Sequence, residues 1–179
     1  ELADEPSFQL KDPAEWTLVD EATGAYGQGS VSFTPLQLTT AWNTLASGGA
    51  YYKPSIVKEI SDNGQVREFE PQFVNQAVTK KAAEDALYVS ALSVERSGGS
   101  LSTNFYEKYP YSGKTGTANI PKVDGVGYQE TIVNTSYVGV VPLENPKFTM
   151  LVWFREPRIG ADGGNVTSAN TALTSWLQI

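Results

Sequence analysis

Both the fold and the chemistry of this 179-residue chain are indicated by one segment, Tyr111-Ser112-Gly113-Lys114-Thr115-Gly116-Thr117-Ala118-Asn119. We predict that it forms a β-strand. Side chains alternate between the two faces of a strand, so Thr115 and Thr117 project to the same side. Gly116 lies between them and lets a ligand approach the backbone. The cation of Lys114 and the two hydroxyls along one strand predict an edge that binds a carboxylate, because charge-assisted hydrogen bonds are strong.

Two more strands are predicted after this segment. The run 148–154 is nearly all apolar, which is typical of a strand covered on both faces. A turn joins the two later strands as a hairpin, so the three strands predict an antiparallel sheet. The predicted strands are 112–119, 131–141 and 147–155, and the hairpin turn is 142–146.

Two helices are predicted before the sheet. The first has Thr34 as its N-cap and Pro35 at its first position, and it ends at Gly48-Gly49. The second covers about 80–96, with Thr79 as its cap. Each has an apolar face at helical spacing. These faces are Leu38, Ala41, Trp42 and Leu45 in the first helix, and Ala83, Leu87, Ser90, Ala91 and Val94 in the second.

The remaining segments are predicted to be less regular, apart from a closing helix. Residues 1–23 lack a clear period and are interpreted as a loop-rich opening segment. Asp62-Asn63-Gly64 is a strong turn signal between short extended segments. A loop separates the second helix from the Lys114 strand. The closing helix has an apolar face formed by Ala169, Leu173 and Trp176.

This order of elements is typical of an α+β fold with an antiparallel sheet packed between helices. Residues 1–179 are interpreted as part of one domain, in which 24–179 hold the helices, the Lys114 strand, the hairpin and the closing helix. A sheet with so apolar a strand usually has more neighbours, so we expect further strands upstream. The chain begins with Glu1 and has one methionine, Met150, so we expect a processed or partial chain.

Composition and charge exclude several functions. The chain has no His and no Cys, which rules out Ser-His-Asp and Cys-His catalysis, zinc sites on these residues, iron–sulfur clusters and disulfides within it. No cofactor is expected. Thirteen basic and twenty acidic side chains give a net charge of −7, which disfavours nucleic acid as a partner. The longest apolar run is far shorter than the ~20 residues that span a bilayer.

The Lys114 segment was compared with two known motifs. Gly113-Lys114-Thr115 is part of a phosphate-binding loop pattern, but Lys108 stands where that motif needs a glycine, so we reject it. Lys114-Thr115-Gly116-Thr117 resembles the third motif of the penicillin-binding protein and serine β-lactamase superfamily, whose set is Ser-x-x-Lys, Ser-x-Asn and Lys-Thr-Gly.

The surrounding landmarks strengthen this resemblance and occur in the family's order. The stretch with Gly27-Gln28-Gly29 and Thr34-Pro35-Leu36-Gln37-Leu38 resembles the family's "GQG…TPLQL". Gly48-Gly49 with Tyr51 and Pro54 resembles its "NGG.Y..P". Ser136-Tyr137-Val138-Gly139 and Asn145-Pro146 resemble its "sFvGfaP..nP" hairpin. The pattern is most similar to the class B, monofunctional transpeptidases, and the chain resembles the C-terminal part of their transpeptidase domain.

The resemblance implies a peptidoglycan D,D-transpeptidase that cross-links D-Ala-D-Ala stem peptides and binds β-lactams. It implies that Lys114 supplies positive potential for the substrate carboxylate, and that the Thr115 and Thr117 hydroxyls hold it. The Thr117 backbone N–H would be one oxyanion-hole donor. Gly116 would let the acyl group lie against the strand. The substrate-binding or β-lactam-binding residues are thus Lys114, Thr115, Gly116, Thr117, Ala118 and Asn119, and Gln28 is a further candidate for the cleft.

The two other motifs of the family are expected outside this chain, in the missing N-terminal half of the domain. Ser55-Ile56-Val57-Lys58 fits Ser-x-x-Lys but follows Pro54 in an extended stretch, whereas the family's nucleophile opens a helix. Ser-x-Asn occurs three times, in the turn at Ser61, in the loop at Ser102 and at the closing helix start at Ser168, where Ser and Asn are ordinary caps. The chain alone is therefore predicted to be inactive.

The resemblance also implies a location and partners. It implies an extracytoplasmic domain, anchored through an N-terminal helix that this chain does not contain, working with the missing half of the domain and with the cell-wall synthesis machinery. Two alternatives stay open. One is a D,D-carboxypeptidase or β-lactamase relative, which would transfer the acyl group to water. The other is a non-catalytic binding module.

Overall fold

A computed structural model describes residues 11–29, 31–97, 100–123, 127–158 and 166–179. After a 3-10 turn at Pro13–Glu15, the described chain forms two helices, four short strands, two more helices, three strands and a final helix. The helices are α1 (Leu18–Gly24), α2 (Pro35–Ala46), α3 (Lys80–Ser97), α4 (Ser100–Lys108) and α5 (Ala172–Trp176). The strands are β1 (Ala50–Tyr52), β2 (Glu59–Asp62), β3 (Gln65–Glu68), β4 (Phe73–Gln76), β5 (Ser112–Pro121), β6 (Tyr128–Val141) and β7 (Phe148–Phe154).

The main sheet has the order β5-β6-β7, and both pairs are antiparallel. On β5, Lys114 lies opposite Val138 and Thr117 lies opposite Thr135 of β6. The hairpin turn between β6 and β7 confirms the predicted 142–146 turn. The predicted α+β architecture and the three strands are thus confirmed, although β6 starts three residues earlier than expected.

Helix α3 packs against β5 on one face of the main sheet, and helix α2 packs against β6 and β7. The predicted inner face of α3 is confirmed, because Ala83, Leu87, Ala91 and Val94 are all at most 8% exposed. A hydrogen bond locks α3 and β5 together: the buried Ser112 hydroxyl donates to the Leu87 carbonyl at 2.8 Å. The start of the Lys114 strand is therefore fixed by a buried polar contact as well as by apolar packing.

An aromatic cluster covers the opposite face of the sheet. Trp176 of α5 stacks on Tyr111 with ring centroids 5.1 Å apart and meets Tyr137 edge-on at 5.3 Å. Phe105 of α4 adds a fourth ring, 5.5 Å from Tyr111. Trp176 Nε1 donates to the Met150 carbonyl at 3.1 Å, which ties α5 to β7. This cluster holds the closing helix on the sheet.

The Tyr137 hydroxyl is buried against β5. Its residue is 2% exposed, and the hydroxyl has no hydrogen-bond partner among the described residues. Burial raises the pKa of the Tyr137 phenol above its ordinary value, and the phenol of Tyr111 raises it further. A Cβ on Gly113 would overlap this hydroxyl and its ring. The bulk of the Tyr137 side chain therefore explains the glycine that precedes Lys114.

Tyr137→Phe is expected to keep the fold and to raise the free energy of unfolding by up to about 1 kcal/mol, because it removes a buried polar group that has no partner. Thr135→Val is the matched control, since it removes a buried hydroxyl that lies 2.8 Å from that of Thr171. We expect the control to lose about 1 kcal/mol. Denaturant unfolding of both variants measures this, and a loss above 1 kcal/mol for Tyr137→Phe would contradict the expectation.

The opening segment is more ordered than predicted. Residues 1–10 lie outside the described ranges, but helix α1 occupies 18–24, so the loop-rich interpretation of 1–23 is wrong for its last part. Thr17 is its N-cap, and Asp20 completes a capping box: the Thr17 N–H donates to Asp20 Oδ2 at 2.8 Å. The Thr-x-x-Asp pattern of residues 17–20 is itself a sequence signal for the start of a helix.

Three further expectations need correction. Helix α4 replaces the predicted loop before β5, and it is favoured because Phe105 packs in the aromatic cluster. The expectation that β7 is covered on both faces is wrong, since Phe148 is 70% and Trp153 is 47% exposed. Ala169 is exposed in the turn before the five-residue α5, so it does not belong to the apolar face of that helix. In the described ranges, no helix is both long and apolar enough to span a bilayer.

Candidate active site

The outer edge of β5 faces no other strand among the described residues. The Thr115 carbonyl accepts a hydrogen bond from Lys114 Nζ at 2.8 Å, and the Thr117 carbonyl is approached by Gln28 Nε2 at 3.5 Å. Both carbonyls therefore point to the open edge. The N–H and C=O of one strand residue point the same way, so the N–H groups of Thr115 and Thr117 are also directed outward. The strand thus presents two backbone donors that the β5–β6 ladder does not use.

The side chains of the Lys114 strand are distributed as the alternation predicted. Thr115 and Thr117 lie on the face that carries the aromatic cluster, and Lys114 starts from the other face. Its ammonium reaches the open edge through the contact with the Thr115 carbonyl. Lys114 is exposed, and within the described residues it has no carboxylate partner. The cation and the two hydroxyls therefore meet along the edge from opposite faces of the strand.

The other predicted site residues continue along this edge. Ala118 and Asn119 are exposed, and they pair with Asn134 and Val133 of β6. A Cβ on Gly116 would collide with the Ser136 hydroxyl of β6. The Ser136 hydroxyl would have to rotate away to admit a larger residue, and Gly116 also leaves the outer edge open to a ligand.

A loop from the start of the chain reaches the same edge. Gln28 follows α1, and its N–H donates to the Thr23 carbonyl at 3.0 Å. Its neighbours Gly27 and Gly29 have φ angles of +81° and +73°, a region that favours glycine. The Gly27-Gln28-Gly29 sequence therefore turns the backbone so that the Gln28 amide lies beside the Thr117 carbonyl.

Ser168 is a neighbour of Thr117. Its position in the sequence predicts a helix cap, and this prediction is wrong, because the N-cap of α5 is Thr171. The Ser168 N–H instead donates to Thr117 Oγ1 at 3.1 Å, and the two side-chain oxygens are 2.6 Å apart. The Ser-x-Asn pattern gave no signal for this contact, because the two residues are 51 positions apart in sequence.

The other serines with motif-like surroundings lie away from a catalytic arrangement. Ser55 is exposed in an irregular segment, and its hydroxyl bonds within its own turn, to the Val57 carbonyl at 3.1 Å. Ser61 belongs to β2 next to its hairpin turn. Ser102 lies on α4, so the prediction that it lies in a loop is wrong. The interpretation of Ser55–Lys58 as a chance match agrees with this geometry.

The described residues offer an open edge rather than a closed pocket at Lys114. A cavity of about 680 Å³ lies elsewhere, between α2 and the β1–β4 pair, where Leu36, Tyr51 and Val74 are among its lining residues. No group of three or more acidic side chains is placed to hold a metal ion in the described part of the chain. The chemistry of the edge is therefore that of an ammonium, hydroxyls and backbone N–H donors.

Similar proteins of known family and structure identify the family and the fold of this chain. Residues 3–174 match the penicillin binding protein transpeptidase domain. The chain is 28% identical over 168 residues to the peptidoglycan D,D-transpeptidase FtsI of Escherichia coli K12, covering 94% of this chain and 26% of that protein. The chain spans 26–29% of the length of the curated relatives that match it first.

Solved structures show the same fold. The apo transpeptidase domain of Burkholderia pseudomallei penicillin-binding protein 3 matches with a TM-score of 0.71 and 26% identity, over 95% of this chain and 48% of that one. Penicillin-binding protein 3 of Mycobacterium tuberculosis, complexed with ampicillin, matches in fold with a TM-score of 0.73 and 24% identity, over 94% of this chain and 39% of that one. The chain therefore belongs to the penicillin-binding protein transpeptidase domain family.

Proposed function

We propose that this chain forms the Lys114 side of a serine-type peptidoglycan D,D-transpeptidase site. The observation that carries the proposal is the open edge of β5, where the Lys114 ammonium and the outward N–H of Thr117 lie along one strand. A transpeptidase substrate ending in D-Ala-D-Ala has a carboxylate and an adjacent scissile carbonyl. An edge with a cation, hydroxyls and free N–H donors is complementary to both groups.

The reaction proceeds by acyl transfer. A serine hydroxyl attacks the carbonyl carbon of the penultimate D-Ala and passes its proton to a base. The C–O bond forms, the C–N bond breaks, and D-Ala leaves after its nitrogen gains a proton. The amine of a second stem peptide then takes the acyl group and frees the serine. In this scheme the serine and its lysine base lie outside the 179 residues.

The residues of β5 serve binding and charge stabilisation. The Thr117 N–H donates to the oxygen of the tetrahedral intermediate, and a donor of this kind typically contributes about 10²–10³ in rate. Lys114 and the hydroxyls of Thr115 and Thr117 hold the substrate carboxylate. An extended acyl chain lies along 116–119 as an added strand, because the edge there has unpaired backbone groups.

Location and partners follow from the same proposal. A peptidoglycan substrate requires an extracytoplasmic domain, and the anchor is proposed to lie on a segment beyond the described residues. The printed name of the Escherichia coli relative, a peptidoglycan D,D-transpeptidase, supports the substrate class. The ampicillin complex of the Mycobacterium tuberculosis protein supports β-lactams as ligands. The other half of the domain and the cell-wall synthesis machinery are the proposed protein partners.

Labelling with a fluorescent penicillin tests the proposal. We expect the protein as the cell makes it to form a covalent adduct, and mass spectrometry to locate the acylated serine outside these 179 residues. The isolated chain is expected to stay unlabelled. An adduct on Ser55, or on any other serine of this chain, would contradict the proposal. A boiled sample is the control for non-specific labelling.

A further inference from the structure

The segment before α5 supplies an unexpected partner to β5. Ser168 is 2% exposed, although it lies in a turn of the chain. Both of its polar groups contact one atom, Thr117 Oγ1: the N–H donates to it at 3.1 Å, and the hydroxyl oxygen lies 2.6 Å from it. Thr117 itself is exposed at the open edge. A buried serine thus stands directly behind a hydroxyl that a ligand can reach.

The hydrogen bonds from Ser168 determine where the hydrogen of the Thr117 hydroxyl can point. The Thr117 hydroxyl has one hydrogen and two lone pairs. The Ser168 N–H occupies one lone pair. When the Ser168 hydroxyl donates to the other, both lone pairs of Thr117 are filled and its hydrogen has to point elsewhere. A ligand carboxylate at the open edge accepts that hydrogen, and a chain of aligned hydrogen bonds strengthens each member.

We propose that Ser168 is a positioning residue for the ligand carboxylate and acts through Thr117. It orients the Thr117 hydroxyl as a donor toward the edge. The proposal rests on the function proposed above, because it presumes that a carboxylate binds at β5. It assigns to the C-terminal segment a part in ligand recognition, and the ligand class is an anion with a planar carboxylate next to an acyl carbonyl.

The surroundings of Ser168 fix it in place. The hydroxyls of Thr171 and Thr135 are 2.8 Å apart, and Thr135 is the cross-strand partner of Thr117. Asn170 Oδ1 accepts from the Thr167 N–H at 2.8 Å, which closes the turn around Ser168. The turn is therefore closed within itself by Asn170 and bonded to the sheet through Thr171, so a ligand meets a preorganised donor.

The test compares a ligand that has the carboxylate with one that lacks it. The complete protein and its Ser168→Ala variant are acylated by benzylpenicillin and by benzylpenicillin methyl ester. We expect Ser168→Ala to raise the apparent dissociation constant for the acid about fivefold, which corresponds to one hydrogen bond, and to leave the limiting acylation rate unchanged. With the ester, the two proteins are expected to react equally. Ser175→Ala, the same change on α5, is the control and is expected to change neither.

Three results would overturn the proposal, and a second variant serves if Ser168→Ala does not fold. Equal slowing of acid and ester by Ser168→Ala would overturn the proposal, because a purely structural role affects both. A full effect of Ser168→Ala in a Thr117→Val background would also overturn it, since the action has to pass through Thr117. If Ser168→Ala does not fold, Ser168→Cys keeps the shape with a weaker donor and is expected to show the same acid-specific loss. A wild-type protein that no penicillin acylates would overturn the proposed function first, and this inference with it.

Discussion

Lys114→Ala is expected to lower the second-order rate of acylation by benzylpenicillin about hundredfold in the complete protein. The Lys114 ammonium lies at the open edge and has no carboxylate partner within the described residues, so its charge is available to a ligand. Losing one partner of a charge-assisted hydrogen bond at a binding site costs about 2–5 kcal/mol. Because Lys114 is exposed within the described residues, their fold should be little affected.

Lys122→Ala is the matched control for this experiment. Lys122 is also exposed and follows β5 in the chain, where its N–H donates to the Gly127 carbonyl at 3.0 Å. The substitution removes the same charge eight positions further along the chain and is expected to change acylation less than twofold. The wild-type rate should also fall with added salt, because screening weakens the attraction between the ammonium and the carboxylate. Unchanged acylation of Lys114→Ala would remove Lys114 from the site.

The main sheet and α3 could be predicted from the sequence because their signals are periodic. In α3, four residues of the predicted inner face are buried and the fifth, Ser90, is half-buried; the four are Ala83, Leu87, Ala91 and Val94. The β6–β7 hairpin was indicated by a turn between two apolar runs. Periodic patterns predict an element correctly where one of its faces is buried against another element, because the spacing of apolar residues then matches the buried face.

For α4 and β7, the local sequence does not match the burial seen in the structure. Helix α4 has the polar sequence of a loop, and its contribution to the core comes from Phe105, which meets Tyr111 and Trp176. Only the tertiary structure makes that contact available. β7 is nearly all apolar, yet it lies at the edge of the sheet among the described residues, so its composition predicts more burial than its position allows.

In the candidate site too, some residues follow from a local pattern and others are brought there only by the tertiary structure. The Lys114 strand was found from its own residues, since the alternation of Thr115 and Thr117 is a local property. Gln28 and Ser168 come from 89 and 51 positions away, and both meet the strand at Thr117. Gln28 could be suspected because Gly27-Gln28-Gly29 forms part of a longer resemblance. Ser168 could not, because no local pattern distinguishes a serine that caps a helix from one that bonds a distant strand.

Thr117→Pro is expected to lower acylation more than any other change at this edge, because it removes the backbone N–H proposed for the oxyanion hole. Proline is tolerated at sheet edges when its position does not donate to the ladder. The Thr117 N–H points away from β6, so no β5–β6 hydrogen bond is lost. Thr117→Val is the matched control, since it also removes the hydroxyl but keeps the N–H. We expect about a tenfold loss for Thr117→Val and about a further hundredfold for Thr117→Pro.

A proline at the next position distinguishes loss of the outward Thr117 N–H from disruption of strand β5. Ala118→Pro removes an N–H on the ladder side of β5, so it is expected to lower the thermal unfolding midpoint clearly, whereas Thr117→Pro is expected to change it little. Acylation rates and unfolding midpoints of the three variants are measured together. If Thr117→Pro and Thr117→Val were acylated at the same rate, the N–H would make no contribution and the oxyanion hole would have to be sought elsewhere. A hundredfold gap between them, at similar stability, is the result expected when the outward N–H of β5 stabilises the tetrahedral intermediate.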